Sequence, residues 1–152
     1  MSLIVMNCPE MLMEVDADTY LEGEVLKEGS AANRAAKCTA KGDLALFVVV
    51  ETIIDPKTGQ AVPSAVGDKI RVFKLGTKAT VHVKSVTGQT YTPGAPIYLS
   101  TTQGQVTATD LKSARAIGHY PRNMAAMTTT IAGQLVPCYL DVEPGAELTP
   151  AE

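Results

Sequence analysis

Three features of the sequence predict an all-β fold. Short runs alternate apolar and polar residues, turns bearing Gly or Pro separate them, and no segment sustains a 3.6-residue apolar period. In DKIRVFKL (68–75), Ile70 and Val72 face one way and Lys69 and Arg71 the other. TVHVKSV (80–86) repeats the pattern, with Val81 and Val83 inward and His82 and Lys84 outward. Such strands suit a small β-sandwich or β-barrel domain, with an extended N-terminal arm and a short flexible C-terminal tail.

In chain order, residues 1–22 read either as an arm or as the first strand, residues 23–142 as the β domain, and residues 143–152 as a Pro/Gly/Glu tail. The apolar, β-prone Leu3, Ile4, Val5 and Met6 are the candidate contact residues, because such a segment adds readily to an exposed sheet edge. SAANRAAK (30–37) fits two helical turns with Ser30 as N-cap, and equally a structured loop. LALFVVVETII (44–54) is too apolar for a one-sided surface strand and predicts a strand buried on both faces. DPKTGQ (55–60) supplies turn chemistry.

Further strands are expected in PIYLS, GQVTAT, ARAIGHY and QLVPCYLDV. TPGAPIYLSTTQGQVT (92–107) reads as two of them joined at a glycine turn. Pro93 and Pro96 stiffen its start, Tyr98 and Leu99 point to opposite faces, and its threonines favour strand backbone while tolerating water. Pro96 and Pro137 cannot donate to a ladder, so each belongs at a strand start or on an edge.

The chain has 152 residues, enough for one domain with a real core, and a net charge of −3, which argues against nucleic-acid and anionic-membrane partners. Aromatic residues make up only 5% and Trp is absent, so no base-stacking groove is expected. Residues 1–28 are acidic (Glu10, Glu14, Asp16, Asp18, Glu22, Glu24 and Glu28 against Lys27), and residues 57–84 are basic. That asymmetry suits contact within the molecule or between copies. MSLIVMN lacks the basic leader and the length of a secretory signal, and no stretch approaches a membrane span, so export and insertion are disfavoured.

Catalytic groupings are sparse. Cys8, Cys38 and Cys138 form no CxxC pair and no even disulfide set, and they predict reduced, cytoplasmic synthesis. A thiol–imidazole pair with His82 or His119 would need an activated thiol, and no local sequence marks one; Cys138, beside Tyr139 in an apolar strand, reads as a small buried hydrophobe. DADTYLEGE lacks the ligand order of an EF-hand loop, and GSAANRAAKCTAKG does not fit a phosphate loop. No catalytic residue, cofactor or metal is therefore assigned. AVGDKIRVFKLG and GAPIYLS echo biotinyl or lipoyl carrier domains, in which a hairpin-tip lysine is modified; the tip candidates here are Lys57 and Lys78, and neither has the usual apolar flanks.

Five phrases together resemble the capsid decoration, or head cement, proteins of tailed bacteriophages: GEVLKEGSAANRAAKCTAKGDLALFVVVE, VGDKIRVFKLGTKATVHV, GQTYTPGAPIYLSTTQGQVTAT, ARAIGHY and LVPCYLDV. The likeness covers roughly residues 23–142. It implies a non-enzymatic structural virion protein on the outside of an expanded capsid, stabilising contacts between capsomers of the major capsid protein. The usual form in that family is a homotrimer at local three-fold positions, without a cofactor. Leu3, Ile4, Val5 and Met6 then become a capsid or subunit interface. The alternative is a stand-alone carrier or ligand-binding β domain.

Overall fold

The computed structural model describes residues 10–110 and 114–144. Leu3, Ile4, Val5, Met6 and Cys8, together with tail residues 145–152, lie outside the described residues. Within them the chain is all-β, as the alternation predicts. Its strands are β1 (Glu10–Val15), β2 (Val25–Glu28), β3 (Arg34–Lys37), β4 (Phe47–Val49), β5 (Lys69–Lys74), β6 (Thr80–Ser85), β7 (Thr90–Tyr91), β8 (Pro96–Leu99), β9 (Val106–Thr107), β10 (Ala116–His119), β11 (Met127–Thr128) and β12 (Gln134–Tyr139).

Where the sequence suggests one sandwich or barrel, the chain closes two. The first barrel runs β1-β3-β2-β4-β5 and returns to β1; the second runs β10-β12-β6-β9-β8 and returns to β10; β7 and β11 form a separate ribbon. Strands of two to six residues suffice because closure leaves no long unpaired edge. Val15, Leu26, Ala35, Phe47, Val49, Ile70 and Val72 fill the first barrel. A second cluster joins Val81, Val83, Ile97, Leu99, Ile117, Val136, Cys138 and Leu140 of the second barrel to Val25, Val48 and Leu75 of the first. The two barrels therefore share one continuous core.

Backbone hydrogen bonds cross the same junction, from Lys84 N–H to Gly23 C=O and from Val25 N–H to Gly104 C=O. Gly23 sits at φ 87°, and a Cβ there would come 2.7 Å from Leu135 Cδ2 and 2.8 Å from Lys84 N. Only glycine fits both the backbone turn and the space.

Several expectations change in detail. The run 44–54 forms a strand only at Phe47–Val49, which is buried on both faces because Phe47 and Val49 enter the first barrel while Val48 faces the second. Leu44, Ile53 and Ile54 lie outside the ladder and are exposed, so apolarity alone overstated the strand's length. SAANRAAK is neither two helical turns nor a loop throughout: a turn with Asn33 at φ 70° leads into β3. Residues 10–15 form β1, paired with β5 and β3, so this part of 1–22 is a barrel strand and not an arm.

The hairpin β8–β9 forms as the sequence suggests, Tyr98 opposite Thr107 and Leu99 opposite Val106. Tyr98 packs with Ala114, Ala116 and Val142 while Leu99 enters the main core, on the opposite face. Thr107 departs from the water-tolerant role expected of it: it is buried, and its hydroxyl donates to Gln89 Oε1 at 2.7 Å. Pro96 opens β8, but Pro137 lies inside β12. Leu140 N–H donates to Ala79 C=O, so alternate residues 138 and 136 bond to β6 and Pro137 faces β10. On that side the ladder is a single pair, His119 with Tyr139, and the missing donor breaks no bond.

Candidate functional site

Three strands of the second barrel place one residue each in a row. Thr80 of β6 is opposite Tyr139 of β12, which is opposite His119 of β10. Their neighbours Val81 and Cys138 point into the core, so the period of two sends these three side chains to the outer face. Asp141, two residues beyond Tyr139, returns to that face at the diagonal position to His119. His119 Nδ1–H donates to Asp141 Oδ1 at 2.7 Å, which orients the ring, and Nε2 has no hydrogen-bond partner among the described residues.

The chain then turns at Pro121, Arg122 and Asn123 to close one side of a cleft of about 380 Å³. Tyr120 fixes this turn from below. Its ring stacks on Tyr91 with centroids 6.0 Å apart, and its hydroxyl donates to Ala125 C=O at 2.6 Å. Arg122 lies over Gly94, is exposed, and makes no ion pair among the described residues. β10 and β12 approach closely beside the cleft: a Cβ at Gly118 would come 2.2 Å from Tyr139 C=O, so the His119–Tyr139 pairing depends on that glycine.

Chemically, the cleft offers the Arg122 guanidinium, the His119 imidazole held by the Asp141 carboxylate, the Asn123 carboxamide and the hydroxyls of Thr80 and Tyr139, while the Tyr120 hydroxyl is committed to Ala125 C=O. Its exposed guanidinium can hold an anion. The cleft lacks a thiol. Cys38 and Cys138 are buried in the shared core. Burial pushes the Cys38 thiol up to about 12 and the Cys138 thiol higher, so both are thiols and not thiolates at neutral pH.

The other sequence candidates fall elsewhere. His82 is exposed on the outer face of β6, as the alternation predicts. Lys57, in the turn after Asp55, and Lys78, at φ 58° between β5 and β6, are both exposed. Part of the acidic N-terminal set is engaged within the molecule. Lys37 Nζ lies 3.3 Å from Glu24 Oε2 and 3.7 Å from Asp18 Oδ1, and Arg71 pairs with Glu10 and, at 3.5 Å, with Glu51. Among the described residues no group of three or more His, Cys, Asp or Glu is arranged to hold a metal, and no helix is long and apolar enough to cross a membrane.

Sequence reasoning missed Asp141 and Arg122. GHY and YLDV carry both halves of the imidazole–carboxylate pair, but only the pairing of β10 with β12 brings them together. No protein-family model and no curated protein matches the chain.

Proposed function

We propose that this chain is a structural virion protein that binds the outside of an expanded phage capsid and ties neighbouring capsomers of the major capsid protein together. In this reading it acts as a homotrimer at local three-fold positions, is made in the host cytoplasm, and ends on the outer capsid surface. One structural observation carries the reading beyond the resemblance of residues 23–142. Between β4 and β5 the chain leaves the barrel for residues 50–68, held by single bridges Ile54–Ala61 and Asp18–Ser64. This excursion exposes Ile53, Ile54, Val62 and Val66 by 41 to 56%. Four aliphatic side chains presented to water from one segment suit a protein contact.

The two closed barrels supply the other requirement, a rigid platform. Three-fold closure presents three identical contacts, and once one is made the others become effectively intramolecular, so modest contacts add to tight binding. The test is co-sedimentation with expanded heads that lack the protein. Saturable binding at micromolar concentration is expected, and its absence overturns the reading. Solution mass tests the trimer separately, with three times the 16.0-kDa chain expected. The carrier alternative requires a covalent adduct on Lys57 or Lys78, which intact mass of native material detects.

A further inference from the structure

We propose that the cleft beside His119 is a carboxylate socket that takes one Asp or Glu side chain of a partner polypeptide; assigning that partner as the capsid subunit rests on the reading above. Arg122 provides the reason for an anion. Among the described residues it makes no ion pair, and its planar guanidinium matches a carboxylate through two parallel hydrogen bonds. Tyr139, Thr80 and Asn123 surround the same space with neutral hydrogen-bonding groups. His119, fixed through Nδ1 by Asp141, forms the wall beside Tyr139.

Charge narrows the class. A volume of about 380 Å³ is ample for one acidic side chain, and Pro121 is among the residues beside it. Asp141 also lines the cleft, and its negative charge opposes a doubly charged phosphate twice as strongly as a singly charged carboxylate. Four of the chain's own acids are already paired within it: Glu10 and Glu51 with Arg71, Asp18 and Glu24 with Lys37. The ligand therefore comes from outside this set.

The experiment has two arms, both on the full chain. In the first, side-chain resonances of Arg122 and His119 are followed by NMR during titration with N-acetylglutamate amide, its glutamine counterpart and inorganic phosphate. The glutamate probe is expected to shift both residues saturably, with half-saturation at about 1 mM, and the other two probes to bind at least about tenfold more weakly. R122Q should lose at least about tenfold in affinity. It should leave the remaining spectrum unchanged, because Arg122 is exposed and unpaired. No saturable shift, an equal response in R122Q, or tighter binding of phosphate overturns the socket.

In the second arm, R122Q and the unaltered chain are compared for binding to expanded heads. Weaker binding of R122Q supports the socket as a capsid contact, and equal binding overturns that role. If the unaltered chain responds to the glutamate probe yet fails to sediment with heads, the socket stands and the capsid reading fails.

Discussion

Among the described residues, the first barrel ties segments together largely through charged side chains, whereas the second, the His119–Asp141 pair apart, relies largely on hydroxyls and amides. Lys37 holds Glu24 and Asp18, Lys27 holds Asp43 at 3.1 Å, and Arg71 holds Glu10 and Glu51, all in or beside the first barrel. In the second, Gln89 Oε1 accepts from the hydroxyls of Thr107 at 2.7 Å and Thr109 at 3.0 Å, and Ser85 and Tyr91 share a hydrogen bond of 2.6 Å. Thr129 accepts from Gln89 N–H at 2.9 Å and donates to Val86 C=O at 2.8 Å. Strand count is the same, so the difference lies in how each barrel responds to salt and acid. Ion pairs at partly exposed sites weaken with both, and neutral hydrogen bonds are nearly indifferent.

The largest test asks whether this contrast sits on one cooperative unit. Leu26 fills the first barrel and Leu140 the second, and both are fully buried. Each change to Ala should cost about 2–5 kcal/mol. Because the two barrels share a core, both variants should shift a single denaturant transition with unchanged slope. Two separate transitions, each moved by only one variant, would show independent barrels.

Glu24→Ala comes next. The Glu24 carboxylate is nearly buried, pairs with Lys37 and accepts from Leu21 N–H at 2.6 Å. Removing it should cost about 3 kcal/mol, the lower end for breaking a buried pair, because Lys37 keeps Asp18. Denaturant midpoints for this variant and the unaltered chain measure the loss. Tyr91→Phe probes the other chemistry. It removes one neutral hydrogen bond while Ser85 still donates to Val86 C=O, and should cost about 1 kcal/mol at any salt concentration. A loss that varies with ionic strength would contradict the contrast drawn here.

Acid gives the smallest and most local effect. Hydrogen bonds from the Ser30 hydroxyl and amide hold the Asp16 carboxyl below its usual range. Burial pulls Asp43 up, but amides of Thr39 and Ala40 and the Lys27 ammonium outweigh it and hold that carboxyl down as well. Carboxyls depressed in the folded state contribute stability above the unfolded value of 3.8, and that contribution is lost as pH falls through the lower folded values. Amides of Ser30, Thr39 and Ala40 should therefore lose hydrogen-exchange protection below pH 3.8, after correction for the intrinsic rate, while Gln89 and Ala108 keep theirs. Equal loss at both sets would remove the distinction.

Legibility of the molecule from its sequence follows the range of the interactions involved. β5, β6 and the β8–β9 hairpin are readable because alternation and turn glycines are local signals. β4 was overextended because apolarity does not say where a ladder stops. Its neighbours β2 and β5 decide that, by pairing only with Phe47–Val49 and leaving Ile53 and Ile54 to the excursion. In the candidate socket, His119 was visible as a strand-end histidine, but nothing near it in the chain announces Asp141 or Arg122 as its companions.

The sequence by itself determined the strand character, the inward and outward faces of β5 and β6, the burial of the Cys138 strand, and the acidic and basic halves that meet when β1 sets Glu14 against Lys69. Those follow from side-chain period and composition, which the chain carries locally. Tertiary structure alone decided that there are two barrels rather than one, that they share a core, and that a histidine, an aspartate and an arginine line one cleft. Each of these depends on which strand pairs with which across dozens of residues, and many pairings satisfy the same local pattern until closure and core packing select one.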